Sequence, residues 1–85
     1  MPAKLLLYTR AGCHLCEEMK AVLAGARRRV SFELQEVDIE SDGGLSRLYG
    51  ESIPVLSING KIAFKGKMTP DQFFEKFQRI TEGKK

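Results

Sequence analysis

Close to its start the chain switches hydrophobic period, and its two cysteines mark the switch. Lys4 to Tyr8 is a short apolar run around Leu5-Leu6-Leu7, followed by Thr9-Arg10-Ala11-Gly12. That pattern predicts a buried strand running into a loop. From Cys13 to about Arg28 the apolar residues Leu15, Met19, Val22 and Leu23 recur at helical spacing, with Glu17, Glu18 and Lys20 between them. The spacing predicts an amphipathic helix opened by Cys13 and Cys16. A strand feeding a helix in this way usually returns to a parallel neighbouring strand by a right-handed crossover.

The rest of the chain fits that start. Val30 to Val37 reads as a second strand, with Val30, Phe32 and Leu34 alternating with Ser31, Glu33 and Gln35. Asp38 to Gly44 reads as a loop, with Asp42 or Gly43 as a cap, before a short helical stretch from Leu45 to Tyr49 that Gly50 stops. Ile53 to Ile58 is a third strand with Pro54 at its start, where a missing N–H is tolerated. Asn59-Gly60 predicts a two-residue hairpin into Lys61 to Lys65, with Ile62 and Phe64 expected on one face. Thr69 is the expected N-cap of the last helix, Pro70 its first residue, and Gln72 the second half of a capping box. Phe73, Phe74, Phe77 and Ile80 form its buried stripe. The order β-α-β-α-β-β-α predicts an α/β class, one four-stranded mixed sheet with helices on both faces. At 85 residues the chain is expected to form one domain, 1–85, with a thin core.

Charge adds little. Lys and Arg total 14 against 11 Asp and Glu, a net +3. The excess is local, in Arg27-Arg28-Arg29 and Lys84-Lys85. A nucleic-acid-binding domain carries more basic residues with aromatics interleaved, so no nucleic-acid partner is expected. The Arg triplet reads as a solvated helix end that complements the helix dipole. Glu82 to Lys85 reads as a frayed terminus. No apolar run approaches the ~20 residues of a membrane span, and Leu5-Leu6-Leu7 is too short for a signal-peptide core. The expectation is a cytoplasmic monomer with no membrane partner.

Two cysteines three apart cannot staple a small secreted fold. In a reducing compartment such a pair is more often catalytic or metal-binding. Residues three apart share a helix face about 5–6 Å apart, close enough for a disulfide to open and close. Cys13 falls at the helix N-terminus, where unpaired N–H groups and the dipole stabilise a thiolate. Cys16, one turn further in, is expected to be more buried. That asymmetry makes Cys13 the nucleophile and Cys16 the resolving thiol. Structural zinc takes four ligands, mostly Cys and His. Here there are two Cys and one His, with His14 between the cysteines, so no metal site is expected. Arg10 and His14 are candidate substrate-binding residues. Arg10 either adds positive charge near Cys13 or is a solvated loop residue. His14 either assists the thiolate or faces solvent.

The run Leu5-Leu6-Leu7-Tyr8-Thr9-Arg10-Ala11-Gly12-Cys13-His14-Leu15-Cys16 resembles the opening of glutaredoxins and their small thioredoxin-fold relatives. Val37-Asp38-Ile39, Ser52-Ile53-Pro54-Val55 and Asn59-Gly60 fit the same plan, so the resemblance spans about Lys4 to Ile80. It is nearest to the small glutaredoxin-like group. The resemblance implies a thioredoxin-like fold and a thiol–disulfide oxidoreductase. It also implies a cis Ile53-Pro54 peptide beside Cys13, with the Ile53 backbone offered to substrate. Three departures stand out. His14-Leu15 replaces the usual Pro-Tyr, and Ser52-Ile53 replaces Thr-Val. The usual Gly-Gly and following Asp before the last helix are absent from Phe64-Lys65-Gly66-Lys67-Met68-Thr69. There Lys65 and Lys67 either meet a glutathione carboxylate or are solvated. No bound cofactor is implied, with glutathione as co-substrate. The implied substrate is a disulfide-containing protein or small thiol compound, and the implied reductant is glutathione or thioredoxin reductase. Some glutaredoxins carry an iron–sulfur cluster between two chains, so a metal carrier using Cys13 is the remaining alternative.

Overall fold

The computed structural model describes residues 3–82. Its elements are β1 (Ala3–Thr9), α1 (His14–Ala26), β2 (Phe32–Asp38), a 3-10 turn (Ile39–Ser41), α2 (Gly43–Tyr49), β3 (Val55–Ile58), β4 (Lys61–Lys65) and α3 (Pro70–Glu82). The order is the one the sequence predicts. The four strands lie as β2-β1-β3-β4, with β1 parallel to β2 and the other pairs antiparallel. This is the expected mixed sheet.

One face of the sheet carries the main core. Leu5 and Leu7 of β1, Phe32 of β2 and Leu56 and Ile58 of β3 pack against Met19 and Leu23 of α1 and Phe73 and Phe77 of α3. Phe73 sits at the centre, its ring meeting those of Phe32, Phe74 and Phe77 at centroid distances of 5.8, 5.6 and 5.4 Å. On the other face Tyr8 stacks on Tyr49 of α2, with centroids 4.9 Å apart. Helices therefore cover both faces.

Local signals set most of the boundaries. Asn59 and Gly60 both take positive φ, 51° and 88°, as a two-residue hairpin turn requires. Thr69 and Gln72 form the reciprocal capping box: Thr69 N–H donates to Gln72 Oε1 at 3.0 Å, and Gln72 N–H to Thr69 Oγ1 at 3.1 Å.

Several expectations are corrected. The loop from Asp38 to Gly44 is mostly helical. Asp38 Oδ1 accepts from Glu40 N–H at 2.9 Å and caps the 3-10 turn, while Asp42 Oδ1 accepts from Gly44 and Leu45 N–H and starts α2 two residues early. Val30 lies outside β2, because its N–H donates back to Ala26 O at 3.1 Å and continues the last turn of α1. Ile62 and Phe64 do not share a face. Leu56 is opposite Phe64 but Ser57 is opposite Ile62, so Ala63 is an extra residue in β4. Such a bulge breaks the two-residue alternation. Phe64 packs on the core, whereas Ile62 is 47% exposed.

Arg27 and Arg29 are more than solvated. Their guanidinium groups lie over the rings of Phe32 and Phe74, at 5.3 and 4.3 Å from the centroids. Glu82 belongs to α3 and accepts from Gln78 Nε2 at 3.1 Å, so it is not frayed. Lys84 and Lys85 lie outside the described residues. No helix among the described residues is long and apolar enough to cross a membrane.

Candidate active site at the start of the first helix

The loop after β1 delivers Cys13 to the helix start. Cys13 N–H donates to Arg10 O at 3.3 Å and closes a tight turn over Ala11 and Gly12. Gly12 has φ +78°, a conformation that side-chain-bearing residues rarely adopt and that a turn of this kind needs at its third position. Cys13 then sits at the N-cap of α1 with extended backbone, φ −90° and ψ 110°. Its Sγ accepts from Cys16 N–H at 3.1 Å, where a Ser or Asp oxygen would act in an ordinary N-cap.

Cys13 and Cys16 are joined as a disulfide, with Cα atoms 5.2 Å apart. That separation lies within the range a disulfide spans without backbone movement. The two sulfurs differ in access. Cys16 is 1% exposed, whereas Cys13 is half-buried.

The sheet brings the third strand to the same place. The register Tyr8↔Val55 sets the end of β1 against the start of β3. The residues before β3 therefore meet the loop that leads to Cys13. The Ile53–Pro54 peptide is cis, as the resemblance implies. Pro54 is buried, and its carbonyl accepts from Gly66 N–H at 2.8 Å, tying the β4–α3 connection to this corner. The Ile53 N–H donates to Tyr49 O at 3.1 Å. It is thus committed within the chain, and the Ile53 carbonyl has no hydrogen-bond donor among the described residues.

Arg10 is exposed at the end of β1, and its carbonyl serves the turn. His14 is the first residue of α1. Its imidazole is 86% exposed and lies 2.9 Å from Glu18 Oε2, one turn along the helix. The structure therefore joins Cys13 to Cys16 at the start of α1, sets Ile53 and Pro54 just before β3 beside the end of β1, and leaves the Arg10 and His14 side chains in solvent. Among the described residues no three His, Cys, Asp or Glu side chains gather as a metal site would require.

A polar link between strands lies beside the site. Thr9, buried just before the loop, donates from Oγ1 to Glu36 Oε2 at 3.0 Å. The same carboxylate meets Lys20 Nζ at 3.2 Å, and Lys20 also meets Glu17 Oε2 at 2.9 Å. The hydrogen bonds that the Lys20 ammonium donates to Glu17 and then to Glu36 hold it above its ordinary pKa of 10.5. Three elements, β1, β2 and α1, are joined there within a turn of the cysteines. From the sequence Thr9 reads as the first loop residue, whereas the structure makes it the last residue of β1, and its partner is visible only once the strands are paired.

A parallel-to-antiparallel mixed sheet with a Cys-x-x-Cys at the first helix start and a cis-proline before the third strand defines a thioredoxin-fold dithiol protein. Residues 4–78 match the family model described as glutaredoxin-like domain (DUF836), and the chain belongs to that family. Solved structures agree. A protein of Nitrosomonas europaea, determined by NMR in solution, is 36% identical, with a TM-score of 0.77 over 88% of this chain and 91% of that one. An X. campestris protein is 28% identical, with a TM-score of 0.72 over 94% and 99%. Desulfothioredoxin from Desulfovibrio vulgaris Hildenborough, in its reduced form, shares the fold at a TM-score of 0.72 with 24% identity, over 94% of this chain and 83% of that one. Family, fold and the closely placed cysteine pair together support a redox role.

Proposed function

We propose that the protein is a thiol–disulfide oxidoreductase in which Cys13 attacks and Cys16 resolves. One observation carries this reading: Cys13 is accessible at the N-cap of α1, with Cys16 buried one turn behind it at a Cα separation of 5.2 Å. In the reduced protein the Cys13 thiolate faces the free N–H groups and positive end of α1, which stabilise its charge. It attacks one sulfur of a substrate disulfide. A Cys13–substrate disulfide forms, and the first substrate sulfur leaves as a thiolate that takes up a proton. Cys16 then loses its proton and attacks Cys13 Sγ. The second substrate sulfur leaves as a thiol, and the protein is left as the Cys13–Cys16 disulfide. Two electrons from an external thiol or dithiol reset the pair.

The Ile53 carbonyl and the Pro54 ring border the approach to Cys13, and Arg10 supplies positive charge at the rim. The substrate is a disulfide-bearing protein or small disulfide, and no bound cofactor takes part. The single Gly66 and the lack of an acid before Thr69 favour thioredoxin reductase over glutathione as the source of electrons. The decisive experiment is Cys13→Ser, assayed for reduction of a protein disulfide with each reductant in turn. All turnover is expected to disappear. Retained turnover in Cys13→Ser would falsify the assignment.

A further inference from the structure

β4 is an edge strand of the sheet, and beside it the protein concentrates positive charge. A groove of about 480 Å³ runs between β4 and α3, floored by Ala63 and Phe64. Lys65, Lys67, Lys76 and Arg79 border it, with Gln72 and one carboxylate, Glu75. Arg79 is paired with Glu75 at 3.3 Å. Among the described residues, no carboxylate lies within ion-pair distance of the other three. The Lys76 ammonium sits 5.8 Å over the Phe64 ring. Three uncompensated ammonium groups along one groove repel each other and attract an anionic partner.

The groove adjoins the first helix. Lys67 and Gln72 border a second cleft of about 380 Å³, whose other wall is Leu15, Glu18, Met19 and Val22 of α1. Leu15 lies between the two cysteines in sequence. The Gly66 N–H bond to Pro54 O places Lys67 next to the cis-proline corner.

We propose that the groove between β4 and α3 docks an acidic, extended segment of the protein whose disulfide is exchanged at Cys13. This rests on the oxidoreductase reading and adds a substrate class to it. An extended peptide suits the place because β4 offers an open strand edge, and peptide carboxylates then fall beside the lysines. Nucleic acid suits it less, because the aromatic ring in the groove, Phe64, is half-buried beneath Lys76 and gives no open stacking platform. Charge complementarity of this kind speeds association and is screened by salt.

The test uses the full chain and two peptides with the same disulfide loop, one flanked by glutamates and one by glutamines. The glutamate peptide is expected to show kcat/KM about tenfold higher at low salt, and the preference to shrink in 0.5 M NaCl. In the double variant K65Q/K76Q the ratio is expected to fall close to one. A labelled glutamate peptide with serines in place of its cysteines reads docking without chemistry, by fluorescence anisotropy. Its binding is expected to weaken in the same variant. Equal kcat/KM for the two peptides in the unaltered protein overturns the docking groove and leaves the oxidoreductase reading standing. No reduction of either peptide, with the serine peptide still bound, overturns the oxidoreductase reading and the substrate class with it. An oligothymidylate that binds more tightly than the glutamate peptide overturns the assignment in favour of nucleic acid.

Discussion

The Thr9 hydroxyl donates to the Glu36 carboxylate at 3.0 Å across the parallel pair β1 and β2. This bond anchors the last residue of β1 before the turn that carries Cys13. Replacing Thr9 by Val keeps the shape and removes the donor. The buried methyl in place of the hydroxyl is expected to cost about 1 kcal/mol of unfolding free energy, read by urea denaturation. An unchanged midpoint and slope would show that Glu36 finds an equal partner in water.

Lys20 makes stability depend on alkaline pH. Glu17 first and Glu36 second raise its pKa above the ordinary 10.5. A base whose pKa rises on folding adds stability that is fully present below its unfolded value and is lost as pH climbs through its folded value. The difference in Tm between the unaltered protein and Lys20→Met is expected to hold steady from neutral pH to about 10 and to shrink above that. A gap that persists undiminished into strong alkali would mean that Lys20 contributes by the packing of its methylene stem, not by charge.

Cys16 is assigned the resolving step, so Cys16→Ser is expected to stall after attack. Incubated with a disulfide substrate, this variant should accumulate a covalent adduct on Cys13, visible by mass spectrometry and released by added thiol. In the reduced unaltered protein, iodoacetamide is expected to label the half-buried Cys13 well before the buried Cys16. Equal labelling of the two would contradict the division of roles.

Ser57 offers a stabilising change. Its hydroxyl is buried on β3 with no hydrogen-bond partner among the described residues. A buried hydroxyl that lacks a partner carries a desolvation cost without return. Ser57→Ala is expected to raise stability by about 1 kcal/mol in denaturant unfolding, with no loss of disulfide exchange. A drop in stability would point to an ordered water on Ser57 Oγ.

Much of this was legible along the chain, because the deciding physics is local. A hairpin turn needs positive φ at adjacent residues, and Asn59-Gly60 supplies it. A helix start needs acceptors for its first N–H groups, and Thr69 and Gln72 stand at the right spacing. The Cys-x-x-Cys could be placed at a strand–helix junction because the apolar period changes there. Asp42 caps α2 as its position suggests, but Asp38 also caps a 3-10 turn in what the composition marks as loop.

The amino-acid sequence by itself thus determined the element order, the caps and the position of the cysteine pair, since each depends on residues within about one turn of each other. Tertiary structure alone decided the rest. The Thr9–Glu36–Lys20 link depends on strand register, and a shift of one residue would turn Glu36 to the opposite face. The extra Ala63 in β4 sends Ile62 outward, because cross-strand pairing overrides simple alternation. The three lysines along one groove are brought together by the packing of α3 against β4. Such contacts are chosen by the summed packing of the whole sheet, and no short stretch of chain encodes them.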